Sequence, residues 1–265
     1  MNVLILTSCN RIKQTLLSLS INAQTIRQPF GVVILDMSTP NIDADQQCNQ
    51  HQAEDPYNVV KNYNYCNDVD LLYSASQYFH NIIDFKVIHF RPRLIKQRGD
   101  STLMAMGFMQ AAIMGDRHLA RQNYALKLTG TSILKWDVLS ELPTMLADHD
   151  AVTWHRAFIG GYERTTRCIG GKPEILAGLI ARTGWNDYVD DSTGILEQRF
   201  ARMLENNLPG RINYTGQDEN GLLLEGGVAM QQSYGRERIT NFIRENSIDT
   251  NRTPWLQEFM SGGIW

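Results

Sequence analysis

Asn2-Val3-Leu4-Ile5-Leu6-Thr7-Ser8-Cys9-Asn10-Arg11, then Ile12, Leu16, Leu19 and Ala23, then Phe30-Gly31-Val32-Val33-Ile34-Leu35-Asp36, is the stretch whose reading decides the fold. Val3 to Leu6 is a short apolar run between polar residues, the pattern of a strand buried on both faces of a parallel sheet. From Ile12 the apolar spacing changes to four, three and four, which places Ile12, Leu16, Leu19 and Ala23 on one face of a helix. Pro29 ends that segment, and Phe30 to Leu35 forms a second buried strand that stops at Asp36. The opening is therefore a βαβ unit, for which right-handed parallel pairing is expected.

The alternation continues down the chain. Residues 37–66 are polar and aperiodic and read as a long loop, the kind that sits near a functional site. Asn67 to His80 reads as a helix with Val69, Leu72, Tyr73, Ser76 and Phe79 on one stripe, and Phe85 to Phe90 as a strand. Asp100 or Ser101 is expected to cap a helix from Thr102 to Gly115. Tyr124 to Leu128 reads as another strand, running into Thr129-Gly130-Thr131, and Asp137 to Asp148 as a helix despite Pro143. In the second half, strands are expected at Ala151–Trp154, Thr165–Ile169 and Arg211–Tyr214. Helices are expected at Pro173–Arg182, where Pro173 suits a first turn, and at Thr193–Asn206. The tail holds an amphipathic helix carrying Ile239, Phe242 and Ile243, followed by an aromatic-bearing end. Gly160-Gly161, Gly170-Gly171 and Gly226-Gly227 read as tight turns, because none has the spacing of a phosphate-cradling loop.

Bulk properties narrow the class. With 265 residues, 43% hydrophobic and 20% charged, the chain can bury a full core without staples. A formal net charge of −3 offers no polycationic face to nucleic acid. The four cysteines, Cys9, Cys48, Cys66 and Cys168, form no C-x-x-C pair, so they read as reduced thiols, and the histidines show no metal spacing. The first strand begins without the basic region and cleavage site of a signal peptide, and no apolar stretch reaches bilayer length. A soluble cytoplasmic protein is the expectation.

In an open α/β sheet, ligands bind beyond the carboxyl ends of the strands. Three polar signals fall there: Thr7-Ser8-Cys9-Asn10-Arg11 after the first strand, Asp36-Met37-Ser38-Thr39 after the second, and Lys127-Leu128-Thr129-Gly130-Thr131 at the end of the later one. The first supplies hydroxyls, an amide and a guanidinium. The second supplies a carboxylate able to accept from a base N–H or a ribose hydroxyl.

These segments, in this order, resemble the opening of glycosyltransferases of the GT-A fold: a strand, a T/S-x-x-N-R turn, then a strand ending in an acidic residue and hydroxyls. Arg98-Gly99-Asp100 resembles their basic-Gly loop. Lys127-Leu128-Thr129-Gly130-Thr131 resembles the K-I/L-T/S-G segment that one branch carries where others have Asp-x-Asp. The resemblance covers residues 2–135 and implies a mixed, mostly parallel α/β sheet flanked by helices in a single domain. It also implies a nucleotide-sugar donor half at 1–135 and an acceptor half with a helical tail at 136–265. Thr7, Asn10, Arg11 and Asp36 would hold base and ribose, with Arg98 and Lys127 near the diphosphate and Thr129 and Thr131 beside it.

Hydroxyls at 129 and 131 are poor ligands for Mn²⁺ or Mg²⁺ compared with carboxylates, so no required divalent metal is expected. The leaving nucleoside diphosphate would draw its countercharge from Arg98 or Lys127. Inverting transfer to a glycan hydroxyl needs a base, and Glu197 resembles the acidic residue that opens the acceptor-side helix of this fold, with Asp190 and Asp191 as runners-up and Asp191 also a candidate helix cap. Trp154 and His155 are candidates for an acceptor pocket, with a buried core position as the default for Trp154 and a satisfied structural histidine as the default for His155. Two rival readings remain: a sugar-nucleotide nucleotidyltransferase, against which the glycine-free opening turn counts, and a catalytically inactive GT-A-like carbohydrate-binding protein.

Overall fold

A computed structural model of the chain describes residues 1–8, 11–38, 69–90, 100–155, 164–182, 204–208, 210–217, 223–224 and 233–263. The opening βαβ unit is present as read: β1 (Asn2–Ser8), α1 (Ile12–Thr25) and β2 (Phe30–Asp36). β1 and β2 pair in parallel, with Val3 opposite Gly31 and Ser8 opposite Asp36. The helix stops at Thr25, ahead of Pro29, where Ile26 turns extended.

Next come α2 (Asp70–Ser74) with a 3-10 turn over Ala75–Tyr78, β3 (Ile82–His89), α3 (Asp100–Gly115), α4 (Arg117–Ala120) and β4 (Tyr124–Thr129). β5 (Ile133–Leu134) and α5 (Val138–Met145) follow, the latter capped by the Asp137 side chain accepting from the Ser140 N–H. The second half contributes β6 (Ala151–His155), β7 (Arg164–Gly171), α6 (Pro173–Arg182), β8 (Ile212–Gln217), β9 (Leu223–Leu224), α7 (Ser233–Glu245) and α8 (Pro254–Met260).

Seven strands form one sheet in the order β3-β2-β1-β4-β7-β6-β8, and β5 pairs separately with β9. β3, β2, β1 and β4 run parallel, β7 is antiparallel to β4 and β6, and β8 is parallel to β6. The sheet is thus mixed and mostly parallel.

Strand alternation sends side chains to two separate cores. Leu4, Leu6, Val32, Ile34, Leu126 and Leu128 face α1, α5, α7 and α8, whereas Val3, Ile5, Val33, Leu35 and Ala125 face α3 and α6. Each valine, leucine and isoleucine among them contributes about 1.5–3 kcal/mol on leaving water. α1 is covered on both sides, so Gln14, Thr15, Ser18, Ser20 and Asn22 are buried along with its apolar stripe. Its outer cover is α8, where the Thr253 hydroxyl donates to Ser20 Oγ at 2.9 Å and also accepts from the Leu256 N–H. Asn22 ties α1 to the turn after β4, donating to the Ser132 carbonyl at 3.0 Å and accepting from the Leu134 N–H at 2.7 Å.

Several local expectations change. The segment after residue 67 buries Leu72, Ala75 and Phe79 and leaves Tyr73 and Ser76 exposed, because the 3-10 turn shifts the period from 3.6 toward 3. Asp100 and Ser101 lie inside α3 and are not its caps. Gly170 and Gly171 belong to β7 and make no turn. A Cβ on Gly170 would stand 2.7 Å from side-chain carbons of Leu142 and Val152, so the strand needs glycine for close packing. The aromatic end includes a helix of its own, α8, whose Trp255 stacks on Phe79 with centroids 6.3 Å apart. Residues 39–66 of the long loop, 193–203 of the expected helix, and the pairs at 160–161 and 226–227 lie outside the described residues.

Candidate functional site at the carboxyl edge of the sheet

The strand order reverses direction at β1. The chain passes from β1 outward to β2 and β3, then returns to place β4 on the other side of β1. The carboxyl ends at such a switch point leave a crevice for a ligand. Thr7 and Thr129 are register partners across it, and on the next strands Ser8 pairs with Asp36 and Asp36 with His89.

The two rows lie on opposite faces of the sheet, because Thr7 and Ser8 are consecutive and alternate. On the α1 face, Asp36 is fully buried and both of its carboxylate oxygens are engaged. Ser38 Oγ donates to Oδ1 at 2.7 Å, and His89 Nδ1 lies 2.9 Å from Oδ2. The backbone is knitted there as well: the Met37 N–H donates to the Ser8 carbonyl and the Phe90 N–H to the Asp36 carbonyl, each at 2.8 Å. Ser8 Oγ is buried with no hydrogen-bond partner among the described residues.

On the other face, Lys127 sits between Ile5 and Ile169 in the sheet and is 1% exposed. Its Nζ lies 3.4 Å from Thr129 Oγ1, one layer above it on the same strand. Burial lowers its pKa from 10.5 to about 8, an effect partly opposed by the neighbouring Cys168 thiol and reinforced by Arg167. The lysine is therefore a buried cation beneath the crevice.

The turn after β4 is drawn tightly onto β1. The Gly130 N–H donates to the Thr7 carbonyl at 2.9 Å and the Ser132 N–H to the Thr129 carbonyl at 2.8 Å. Thr131 is half-buried on this turn, and Arg11 occupies the N-cap position of α1.

Of the predicted donor set, Thr7, Arg11, Asp36, Lys127, Thr129 and Thr131 are thus gathered around the carboxyl ends of β1, β2 and β4. Asn10, Arg98, Asp190, Asp191 and Glu197 lie outside the described residues. Trp154 takes its default position: it is 2% exposed, in the core on the α1 face of β6. His155 ends that strand. His89 is the residue beside Asp36 that sequence reasoning left out, whereas Ser38 fell within the polar segment read after the second strand. The available signal was positional, since β3 ends level with β2 and puts His89 beside Asp36. Among the described residues no group of three or more His, Cys, Asp or Glu is placed to hold a metal ion. The donors at the end of β4 are the hydroxyls of Thr129 and Thr131, which do not fit a hard divalent cation.

The chain superimposes on the galactosyltransferase LgtC, solved with donor and acceptor sugar analogs, over 81% of its own length and 73% of that chain, at 11% identity and a TM-score of 0.50. The fold is GT-A. The glycosyltransferase GlyE of Streptococcus pneumoniae TIGR4 matches 96% of the chain at 10% identity and a TM-score of 0.48, and the chain spans about half of its length, 53%. S. aureus TarS, residues 1–349 with UDP-GlcNAc, matches 99% of this chain and 73% of that one at 13% identity and a TM-score of 0.46. No family model and no curated protein sequence matches the chain. The GT-A sheet here carries no helix, among the described residues, long and apolar enough to cross a membrane.

Proposed function

We propose that this protein is a cytoplasmic glycosyltransferase of polysaccharide biosynthesis, moving a hexosyl or pentosyl unit from a nucleoside-diphosphate sugar to a glycan hydroxyl with inversion. The observation that carries the reading is the meeting of Thr7, Asp36 and Thr129 at the carboxyl ends of parallel β2, β1 and β4, at the switch point of a GT-A sheet. Thr7, Asn10 and Arg11 form the nucleoside side of the site, with the buried Asp36 as its support, and Arg98, Thr129 and Thr131 the diphosphate side.

In the reaction the acceptor oxygen forms a bond to the anomeric carbon as the bond to the diphosphate oxygen breaks. Glu197 takes the acceptor proton, with Asp191 as the alternative base, and the diphosphate leaves with the electron pair. Arg98 offsets that charge directly. Lys127 acts from below, where low dielectric strengthens its field. Trp154 is too deep to touch a sugar, which leaves His155 as the acceptor-side candidate on β6. With hydroxyls in place of the acidic pair, the chain needs no divalent metal.

Calorimetry and thermal shift with UDP, GDP, CMP and TDP, each with and without Mn²⁺, test this, because a ligand of the folded state raises apparent stability. One diphosphate that binds without metal is the expected result. Binding by none of them overturns the reading.

A further inference from the structure

The Asp36 carboxylate is the group that a nucleoside would be expected to meet, yet it has no exposed surface and each of its oxygens already accepts a hydrogen bond. With no surface open to solvent, the carboxylate can be touched by a ligand only if the side chains packed around it move. The neighbouring His89 is different: its side chain keeps 23% of its surface exposed while Nδ1 is held by Asp36. An ionised carboxylate only accepts, so Nδ1 carries a proton, and in the neutral ring Nε2 keeps its lone pair. The Ser8 hydroxyl, in register with Asp36 on the same face and buried without a partner among the described residues, marks the same spot as incompletely satisfied.

We propose that His89 is a nucleoside-reading residue, its Nε2 accepting a hydrogen bond from an N–H of the base or a hydroxyl of the ribose, and that Asp36 is a positioning residue that fixes the tautomer and direction of the ring. This rests on the nucleotide-sugar reading above and names the contact that selects the nucleoside. The arrangement uses neighbouring strands of a parallel ladder: His89 and Asp36 are register partners, so the carboxylate and the imidazole are set by the sheet itself and not by a loop. Ser38 completes the assembly by occupying the other carboxylate oxygen, which stops the carboxylate from rotating away from the ring.

The test uses the full chain and whichever of UDP, GDP, CMP and TDP the wild type binds, with the 2′-deoxy and 3′-deoxy forms of that nucleotide as comparison probes. His89→Phe keeps a ring of similar shape and removes the acceptor, so affinity falls about tenfold, the value of one well-formed hydrogen bond. If a ribose hydroxyl is the donor, the deoxy probe that lacks it shows the loss with the wild type and loses nothing more in His89→Phe. If the base is the donor, all probes weaken alike in the variant. Affinity of His89→Phe within twofold of the wild type overturns the proposal.

Asp36→Asn distinguishes positioning from direct contact. Its loss is expected not to add to that of His89→Phe, because both remove one unit, whereas additive losses overturn the positioning role. Should the variants fold poorly, the wild type labelled with ¹⁵N-histidine gives an independent reading. Its Nε2 resonance has the unprotonated tautomer's character and moves on nucleotide addition, and a resonance that stays still overturns the contact. A wild type that binds none of the four nucleotides removes the glycosyltransferase reading itself, so the two failures are told apart.

Discussion

The Gly130 N–H donates to the Thr7 carbonyl at 2.9 Å, and a Cβ at position 130 would lie 2.7 Å from that same oxygen and 2.7 Å from Thr15 Oγ1. The end of β4 is thus pressed onto β1 and α1 at the switch point, at a distance that only glycine permits. Backbone oxygen cannot rotate out of the way as a side chain can. Gly130→Ala is expected to destabilise the fold by about 1–3 kcal/mol, as overpacking does, and to widen the crevice. Urea denaturation and nucleotide calorimetry on the same sample check both effects, and an unchanged midpoint contradicts the packing argument.

Asn22, fully buried, carries two backbone partners, the Ser132 carbonyl and the Leu134 N–H. Asn22→Leu has similar volume but strands both groups. Each buried orphan costs roughly 1–3 kcal/mol, so the melting temperature should fall by several degrees or more. Asn22→Asp restores the acceptor alone and buries a charge, and it should not rescue.

For Lys127 the sign follows from its depressed folded-state pKa, about 8 against 10.5. Below pH 8 the amine is protonated in both states and its burial penalty is fully present. Between about 8 and 10.5 the unfolded chain holds the proton that the folded chain has released, so stability rises with pH and levels off above. Relative to Lys127→Met, in which other titrating groups cancel, the wild type should gain on the order of 3 kcal/mol across this window. Denaturation curves at pH 7 and pH 10.5 measure it, and a difference that stays constant or falls with pH contradicts the burial of a titrating amine.

Glu197→Gln keeps the size of the side chain and removes the base. Turnover with the acceptor should drop by about a hundredfold or more, while affinity for the nucleoside diphosphate stays near that of the wild type. Near-normal turnover moves the role to Asp191, for which the corresponding Asn variant is the next measurement.

The parallel half of the sheet was legible because doubly buried strands leave continuous apolar runs, and Leu4, Ile34 and Leu126 sit where those runs put them. The surroundings of α1 were not. A search for apolar periodicity finds Ile12, Leu16 and Leu19 but is blind to Ser20 and Asn22, which are buried because segments distant in sequence cover the helix, α8 over Ser20 and the turn after β4 over Asn22. The site was half legible for a related reason. Asp36 is visible as a carboxylate that ends a strand, but its partner His89 lies 53 residues away, and only the β2–β3 register brings them together. Histidines searched for metal spacing do not reveal a pairing that a sheet creates.

The cover that α7 and α8 place over α1 also bears on the order of events during synthesis. Ile239, Phe242, Trp255 and Leu256 share one core with Leu16, Leu19 and Phe79. While the ribosome is still translating the middle of the chain, the outer side of α1 has nothing to bury it. The nascent chain carries an open apolar surface until residues 254–260 emerge. Final closure must join segments more than 230 positions apart, such as Ser20 and Thr253. Contacts of that separation form late and slowly. Nascent chains stalled before Thr253 should therefore recruit hydrophobic-surface chaperones, and the full-length chain after release should not.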